Sequence, residues 1–402
     1  MNRDGSRPSV PALVLGSGLN GLGVARSLGS ESVPVYLADT DIRRFELRTR
    51  YASRLQLSAL EGDSLLRDLV ELGQGRFTGC RPVLVLTQER TVRTVAGALE
   101  DLHGLFRFVL PSGGLLETLM HKEGFARLAE QTGLRIPGTV NVREPGDIET
   151  ALVLTPPLVV KPALHAPQYE RLYRKAYLVD DPGQARQLIE RILDVLPDVI
   201  VQEWIPGNDS DIYFCLQHLS SEGRLECSFV GRKIRSWPPN VGGTASCTSA
   251  PEHVVKLTEA TASFFKRVGM SGLASMEYKR HAATGEFVAI EPTVGRSDYQ
   301  EEVATLNGIN LPYAYYLGAL GRATEFVSGR DRRAIWRDGD ADRQSSQTVG
   351  QSVQGWPLAH GRVYDALWRS SDPGPSLDRN WRRLAGRIGL CRVAAGVRPT
   401  GG

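Results

Sequence analysis

The chain has 402 residues, with 48 Lys+Arg against 45 Asp+Glu for a net charge of +3, 41% hydrophobic residues and 23% charged ones. This balance excludes a disordered chain and gives no basic stripe of the kind nucleic-acid partners require; the length suits two to three domains. Five scattered cysteines (Cys80, Cys215, Cys227, Cys247, Cys391) form no CxxC pair, which predicts a reducing compartment and neither a disulfide scaffold nor a zinc site. The start MNRDGSRPSV lacks the apolar stretch of a signal peptide, and no apolar run approaches a membrane span. A cytoplasmic protein with no membrane partner is expected. Only seven of the 48 basic residues are lysines, all between 122 and 279. Where arginine is so preferred, retained lysines mark places that need a compact point charge, or they reflect codon bias.

PALVLGSG (11–18) reads as a buried strand ending in glycines, followed by a helix with Leu22, Ala25 and Leu28 on one face. VPVYLAD (33–39), RPVLVLT (81–87) and FRFVLPS (106–112) read as further strands, with helices at SLLRDLVELG and TVRTVAGALEDL between them. Such alternation predicts a parallel sheet with helices on its faces. Gly16, Gly18 and Gly21 fit G-x-G-x-x-G, and Asp39 ends the next strand. This is the formal dinucleotide fingerprint, and equally the small-residue turn that close strand–helix packing needs.

From about residue 113 the pattern changes. GLLETLMHKEGFARLAEQTG is predicted as one helix stopping at Gly133, followed by strands at PLVVKPAL (157–164) and DVIVQEWIPG (198–207) with a helix at DPGQARQLIERILDVL between them. DIYFCLQHL and LECSFVGRKIR flank the turn SSEGR as a hairpin. A helix over SAPEHVVKLTEATASFFKRVG and two strands, GLASMEYKR and EFVAIEPT, come next, then helices from LNGINLPYAYYLGAL. Residues 328–356 are polar with few apolar anchors and read as a loop or partly disordered linker, and VYDALWRS and NWRRLAGRIG as C-terminal helices.

The ordered set from 115 to 325 (a lysine at a helix before GLRIP, VVKP, VQEWIPG, GRKIRSWPPNVGGTAS, then MEYK and AIEPT) resembles the ATP-grasp superfamily, in particular carboxylate–amine ligases related to D-alanine–D-alanine ligase, D-aspartate ligase and carbamoyl-phosphate synthetase. There is no Walker A sequence. The resemblance implies a mixed α/β and α+β fold: a Rossmann-like pre-ATP-grasp domain over 1–112, then a two-lobed ATP-grasp domain over 113–325 with a lid lobe at roughly 135–206. Residues 326–402 remain as linker and C-terminal helical segment.

It implies ATP and Mg²⁺ as cofactors and small-molecule carboxylate and amine substrates. The carboxylate attacks the γ-phosphate of ATP to give an acyl phosphate, which the amine displaces. Dimerisation is common among such ligases. Lys122 and Lys161 match the family's phosphate-holding lysines; Lys161 follows the apolar run LVV, where an unpaired cation is costly. Gln202, Glu203, Trp204 and Ile205 fill the adenine hinge, Trp204 fitting either a base-stacking wall or the core, and Asp209 and Asp211 both fit the ribose carboxylate.

Glu277 and Glu291 match the Mg²⁺ carboxylates, while Thr293 stands where the family carries asparagine, with Asp298 nearby. Arg296 matches the group facing the acyl phosphate or substrate carboxylate, and one of Arg232, Lys233 and Arg235 is expected to reach the γ-phosphate. Gly242, Gly243, Thr244, Ala245 and Ser246 form a small-residue substrate loop, with Gly18 at a helix N-terminus as a further anion donor. After Lys161 the family's glycine-rich lid is replaced by ALHAPQYERLYRKAY, with Arg174 or Lys175 as its cation and His165 and Tyr169 as substrate contacts or surface residues. Two other readings stay open: an NAD(P) oxidoreductase using the glycine turn, and an ATP-binding regulator without turnover.

Overall fold

The computed structural model describes residues 10–162, 176–240, 242–322, 332–349 and 361–387. The chain starts with β1 (Ala12–Leu15), α1 (Gly18–Ser30), β2 (Val35–Asp39), β3 (Ser53–Gln56), α2 (Gly62–Gln74), β4 (Val83–Leu86), α3 (Glu89–Ala96) and α4 (Leu99–His103). The strands form one parallel sheet in the order β3-β2-β1-β4. β1 and β4 are apolar throughout and fully buried because helices cover both faces. The strand predicted at 106–112 is absent: it makes a single bridge, Arg107 to Val83, while Phe106 and Phe108 fill the core. β3 gave no apolar signal because it is an edge strand with only Leu55 buried.

The helix predicted over 114–133 is two. His121 is extended (φ −91°, ψ 128°) and separates α5 (Gly113–Met120) from α6 (Lys122–Thr132), so Lys122 opens a helix. A small antiparallel sheet follows: β5 (Thr139–Val142), α7 (Pro145–Ala151), β6 (Leu158–Pro162), β7 (Tyr177–Val179), α8 (Pro182–Leu193) and β8 (Val199–Glu203), in strand order β5-β8-β6-β7. It has a core of its own, from Val142 and Ile148 to Val199 and Val201.

The large sheet is built from β9 (Ile212–Leu219), β10 (Leu225–Trp237), β11 (Gly243–Ser249), α9 (Val254–Val268), β12 (Gly272–Arg280), β13 (Phe287–Val294), α10 (Glu301–Leu306) and α11 (Leu311–Ala319). To these the polar tail adds β14 (Ile335–Arg337), α12 (Gly339–Thr348), β15 (Val363–Asp365) and α13 (Gly374–Arg387). The strand order is β13-β12-β9-β10-β11-β14-β15.

Within the stretch 328–356 read as a linker, the described residues 332–349 hold a strand and a helix. β14 pairs with β11, and Trp336 is only 1% exposed, its indole N–H donating to Glu302 Oε2 at 2.9 Å. Composition hid this, because one tryptophan and one isoleucine anchor an otherwise polar stretch whose helix is held by buried charge. VYDALWRS likewise starts as a strand, β15. The tail also closes over the first helix: Arg26 donates to Asp372 Oδ2 at 2.9 Å and to the Ala366 carbonyl at 2.6 Å, and Asp372 also accepts from Thr49 Oγ1 and Arg50 N. The four described cysteines are free thiols. Among the described residues no helix is long and apolar enough to cross a membrane.

Candidate active site

A cavity of about 440 Å³ is lined by residues of both antiparallel sheets and of the turn after β13. It brings together Lys122 at the start of α6, Lys161 on β6, Gln202 to Ile205 at the end of β8, Lys233 on β10, Gly242 to Thr244, Glu277 and Lys279 on β12, Glu291 and Thr293 on β13, and Arg296 and Asp298. Lys161 donates to Gln202 Oε1 at 2.9 Å, and Gln202 in turn donates to Thr139. Glu203 also borders the cavity, but its carboxylate accepts from Gly138 N and Thr155 N, so it fixes the connection out of β8. The Lys279 ammonium lies 5.6 Å from the centre of the Trp204 ring and donates to the Asn208 carbonyl at 2.6 Å.

The charged centre is on adjacent strands. Glu277 and Glu291 are directly cross-strand, as are Ser275 and Thr293. Lys233 Nζ lies 2.8 Å from Glu277 Oε2. Burial acts against the Lys233 charge, yet Glu277, with Glu291 and Asp298 beyond it, holds its pKa above the ordinary value. Burial also raises the Glu277 carboxyl, Lys233 opposing this and Glu291 and Asp298 reinforcing it. Glu277, Glu291 and Asp298 thus gather around the buried Lys233 ammonium. Among the described residues no three acidic, His or Cys side chains converge on a metal point. Glu277 and Glu291 on the paired strands, with Thr293 beside them, are a set compatible with Mg²⁺, an ion that takes one or two carboxylates and completes its shell with water and phosphate oxygens.

Comparison with protein-family models and with curated protein sequences gives no match. Among solved structures, N5-carboxyaminoimidazole synthetase from Staphylococcus aureus is similar over 96% of this chain and 98% of its own, with a TM-score of 0.64 at 11% identity. The biotin carboxylase domain of Hydrogenobacter thermophilus 2-oxoglutarate carboxylase, solved with MgADP and bicarbonate, aligns over 80% of this chain and 71% of its own (TM-score 0.61, 12% identity). An L-amino acid ligase from Bacillus licheniformis aligns over 79% and 76% (TM-score 0.57, 17% identity). The chain has the ATP-grasp fold.

Not every residue expected from the ATP-grasp resemblance reaches the cavity. Asp209 accepts from Ser236 N and Asn240 N, and Asp211 from Asn208 N; both hold turns and neither lines the site. Arg235 lies 3.3 Å from Asp342 of α12, and Ser246 donates to the same carboxylate at 2.6 Å. A bulge explains why Lys233 and Arg235 part company: Lys233 pairs with Cys247 and Arg235 with Ser246, leaving Ile234 as an extra residue, so the two side chains emerge on opposite faces. Arg232 is half-buried outside the lining. The small-residue loop is a strand from Gly243 onward, and Ala245 is buried in it.

Gly18 starts α1 outside the cavity. The glycine turn instead packs on the site's back wall: Asn20 donates to the Thr87 and Ser297 carbonyls and accepts from Ser297 Oγ. Gly21 is required by close approach, since a Cβ there would lie 2.1 Å from the Gly16 carbonyl oxygen. Asp39 is buried and accepts from both Ser17 N and Ser17 Oγ, so its carboxylate is committed to the turn itself. This arrangement disfavours the dinucleotide reading, which needs that carboxylate for a ribose. His165, Tyr169, Arg174 and Lys175 lie outside the described residues.

Sequence reasoning missed Lys279, Tyr299 and Gln300 in the lining. Lys279 was readable: it is one of seven lysines and stands two residues from Glu277 on a strand, hence on the same face. Tyr299 and Gln300 depend on partners distant in sequence, Asp338 and Thr244. A second cavity of about 480 Å³ adjoins the first, sharing Lys122, Lys161, Glu291 and Arg296 and reaching Met120 and Phe125.

Lys161 and Lys256 make a paired test. Lys161 lines the cavity, whereas Lys256 is exposed on α9 with its ammonium 5.1 Å from the Phe287 ring. Lys161→Ala is expected to weaken binding of a non-hydrolysable ATP analogue at least about 10-fold, the worth of a charge-assisted hydrogen bond, and Lys256→Ala to leave it unchanged. Calorimetric titration decides, and equal affinities in the two variants would refute the assignment of Lys161 to phosphate.

Proposed function

We propose that this protein is an ATP-dependent ligase that joins a carboxylate to an amine through an acyl phosphate, releasing ADP and phosphate. The observation that carries this reading is the convergence in one cavity of Lys122, Lys161, the 202–205 segment, Glu277, Glu291 and Arg296, from six places in the chain and in the order of the family's motifs.

Lys122 and Lys161 hold the phosphates, and Trp204 and Ile205 flank the adenine. Glu277, Glu291 and Thr293 would hold Mg²⁺, which when bound neutralises charge on the transferred phosphoryl group. Lys233 orients the Glu277 carboxylate through their 2.8 Å contact. Arg296 faces the carboxylate or its acyl phosphate with a planar fork suited to either. Gly242, Gly243 and Thr244 border the same space and offer it backbone donors. Phosphoryl transfer asks for positioning and charge neutralisation rather than covalent help, and these side chains supply both. Asp209, Asp211, Arg232, Arg235, Ser246 and Gly18 have no part in this assignment.

The test is ADP release across a matrix of small carboxylates and amines, with mass spectrometry of the product. An amide formed in step with ADP is the expected result. Saturable ATP binding with no ADP release from any pair would favour a regulator.

A further inference from the structure

α13 turns its apolar residues outward. Leu377, Trp381 and Leu384 are 58%, 66% and 50% exposed, and their i, i+4, i+7 spacing sets them within an arc of about 60° at 3.6 residues per turn. The helix itself is fixed. Ser376 and Ala385 are buried, Arg379 and Arg383 donate to Asp340 of α12 at 3.3 and 2.6 Å, and Arg382 donates to the Arg43 carbonyl. A held helix thus leaves an indole and two leucine side chains facing water, although burying them would be favourable.

Charge is skewed at the same place. Residues 379–402 hold six arginines (Arg379, Arg382, Arg383, Arg387, Arg392, Arg398) and no acidic residue, whereas residues 1–378 carry 42 basic against 45 acidic side chains. The +3 of the whole chain is therefore a +6 segment set against a −3 remainder. The occupant of the stripe must accept apolar side chains and supply negative charge beside them. A second copy in two-fold contact would bring like charge against like charge, since α13 has four arginines and one aspartate. Nucleic acid would answer the arginines and leave the stripe in water. An anionic lipid surface answers both: leucine and indole enter the boundary between headgroups and acyl chains, and the arginines lie among the headgroup phosphates.

We propose that α13 seats the protein on an anionic lipid surface, lying in the plane of the interface through Leu377, Trp381 and Leu384. The helix has 14 residues and is not long and apolar enough to cross a bilayer. The expectation of no membrane partner rested on the lack of a long apolar run, which says nothing of a short helix with one apolar stripe. Binding of this kind does not depend on the ligase reading.

The experiment sediments the full chain with vesicles of phosphatidylcholine alone and of phosphatidylcholine with about 30% phosphatidylglycerol, at low and high salt. Partition into the anionic vesicles is expected to be at least about 10-fold stronger than into the neutral ones and to fall with salt. Trp381→Ala should weaken it about 10-fold or more, the scale of withdrawing one large apolar side chain, and Trp381→Phe should largely restore it. Arg382→Gln should cost about 5-fold on anionic vesicles and nothing on neutral ones. All three positions are exposed, so circular dichroism should match wild type in each variant. No partition, equal partition into the two vesicle types, or wild-type partition of Trp381→Ala would overturn the inference. So would a dimer in sedimentation equilibrium that Trp381→Ala dissociates, with no vesicle binding, which would give the stripe to a second copy. Binding to a single-stranded oligonucleotide in place of vesicles, unchanged by Trp381→Ala, would overturn it in favour of nucleic acid.

Discussion

Replacing Glu291 by glutamine is expected to lower kcat at least about 100-fold, the scale on which loss of one preorganised electrostatic group is felt in a transition state. The fold should be untouched, because Glu291 is exposed on the edge strand of the large sheet. The loss arises from charge. Glu277 alone is partly neutralised by Lys233 at 2.8 Å, so Glu291 is the carboxylate whose negative charge is available to a cation. Amide substitution keeps the shape and removes that charge. Steady-state rates over a Mg²⁺ titration, with circular dichroism as the control for folding, measure it. Unaltered rates and unaltered Mg²⁺ dependence would remove Glu291 from the metal assignment.

Trp336→Ala is the second large effect, on stability. The indole is almost fully buried, stacks edge-on against Tyr299 at 5.3 Å and donates to Glu302. Truncating a buried tryptophan costs about 3–5 kcal/mol, and here the loss also strips a donor from Glu302, which is buried between Arg26 and Arg369. Denaturant unfolding should show the drop. Since Tyr299 lines the cavity, KM for the substrates should rise in the same variant. A midpoint equal to wild type would mean that the tail is an ornament to the sheet and not part of its core.

Sequence periodicity reached the elements whose burial is one-sided or complete. β1, β4, α9 and the β12–β13 pair all carry the pattern of their environment, and the cross-strand placing of Glu277 and Glu291, the carboxylates proposed for the metal, follows directly from that pairing. The misses have other causes. β14 is short and surrounded by polar residues, so its burial depends on β11, almost ninety residues earlier. Spacing could not separate Lys233 from Arg235, because the bulge at Ile234 reverses the alternation that spacing assumes. Asp209 and Asp211 have the right chemistry near the hinge, but backbone N–H groups claim them first, those of Ser236 and Asn240 for Asp209 and that of Asn208 for Asp211. In each case the deciding partner is either a backbone group or a residue far away in sequence, and neither leaves a local signature.

The closure of the tail over α1 sets a condition on synthesis. The first parallel sheet has all four of its strands as soon as β4 has left the ribosome, but neither the 303–316 segment that packs on α1 nor the partners of Arg26. That side chain is nearly buried, and its two carboxylates, Glu302 and Asp372, are made 276 and 346 residues later. A buried charge without its partner is strongly unfavourable. The nascent N-terminal unit must therefore keep that helix face hydrated until the last tenth of the chain emerges, and only then does the molecule lock. A chain interrupted before Asp372 would leave the Thr49 hydroxyl and the Arg50 N–H without their acceptor and Arg26 with Glu302 as its one carboxylate.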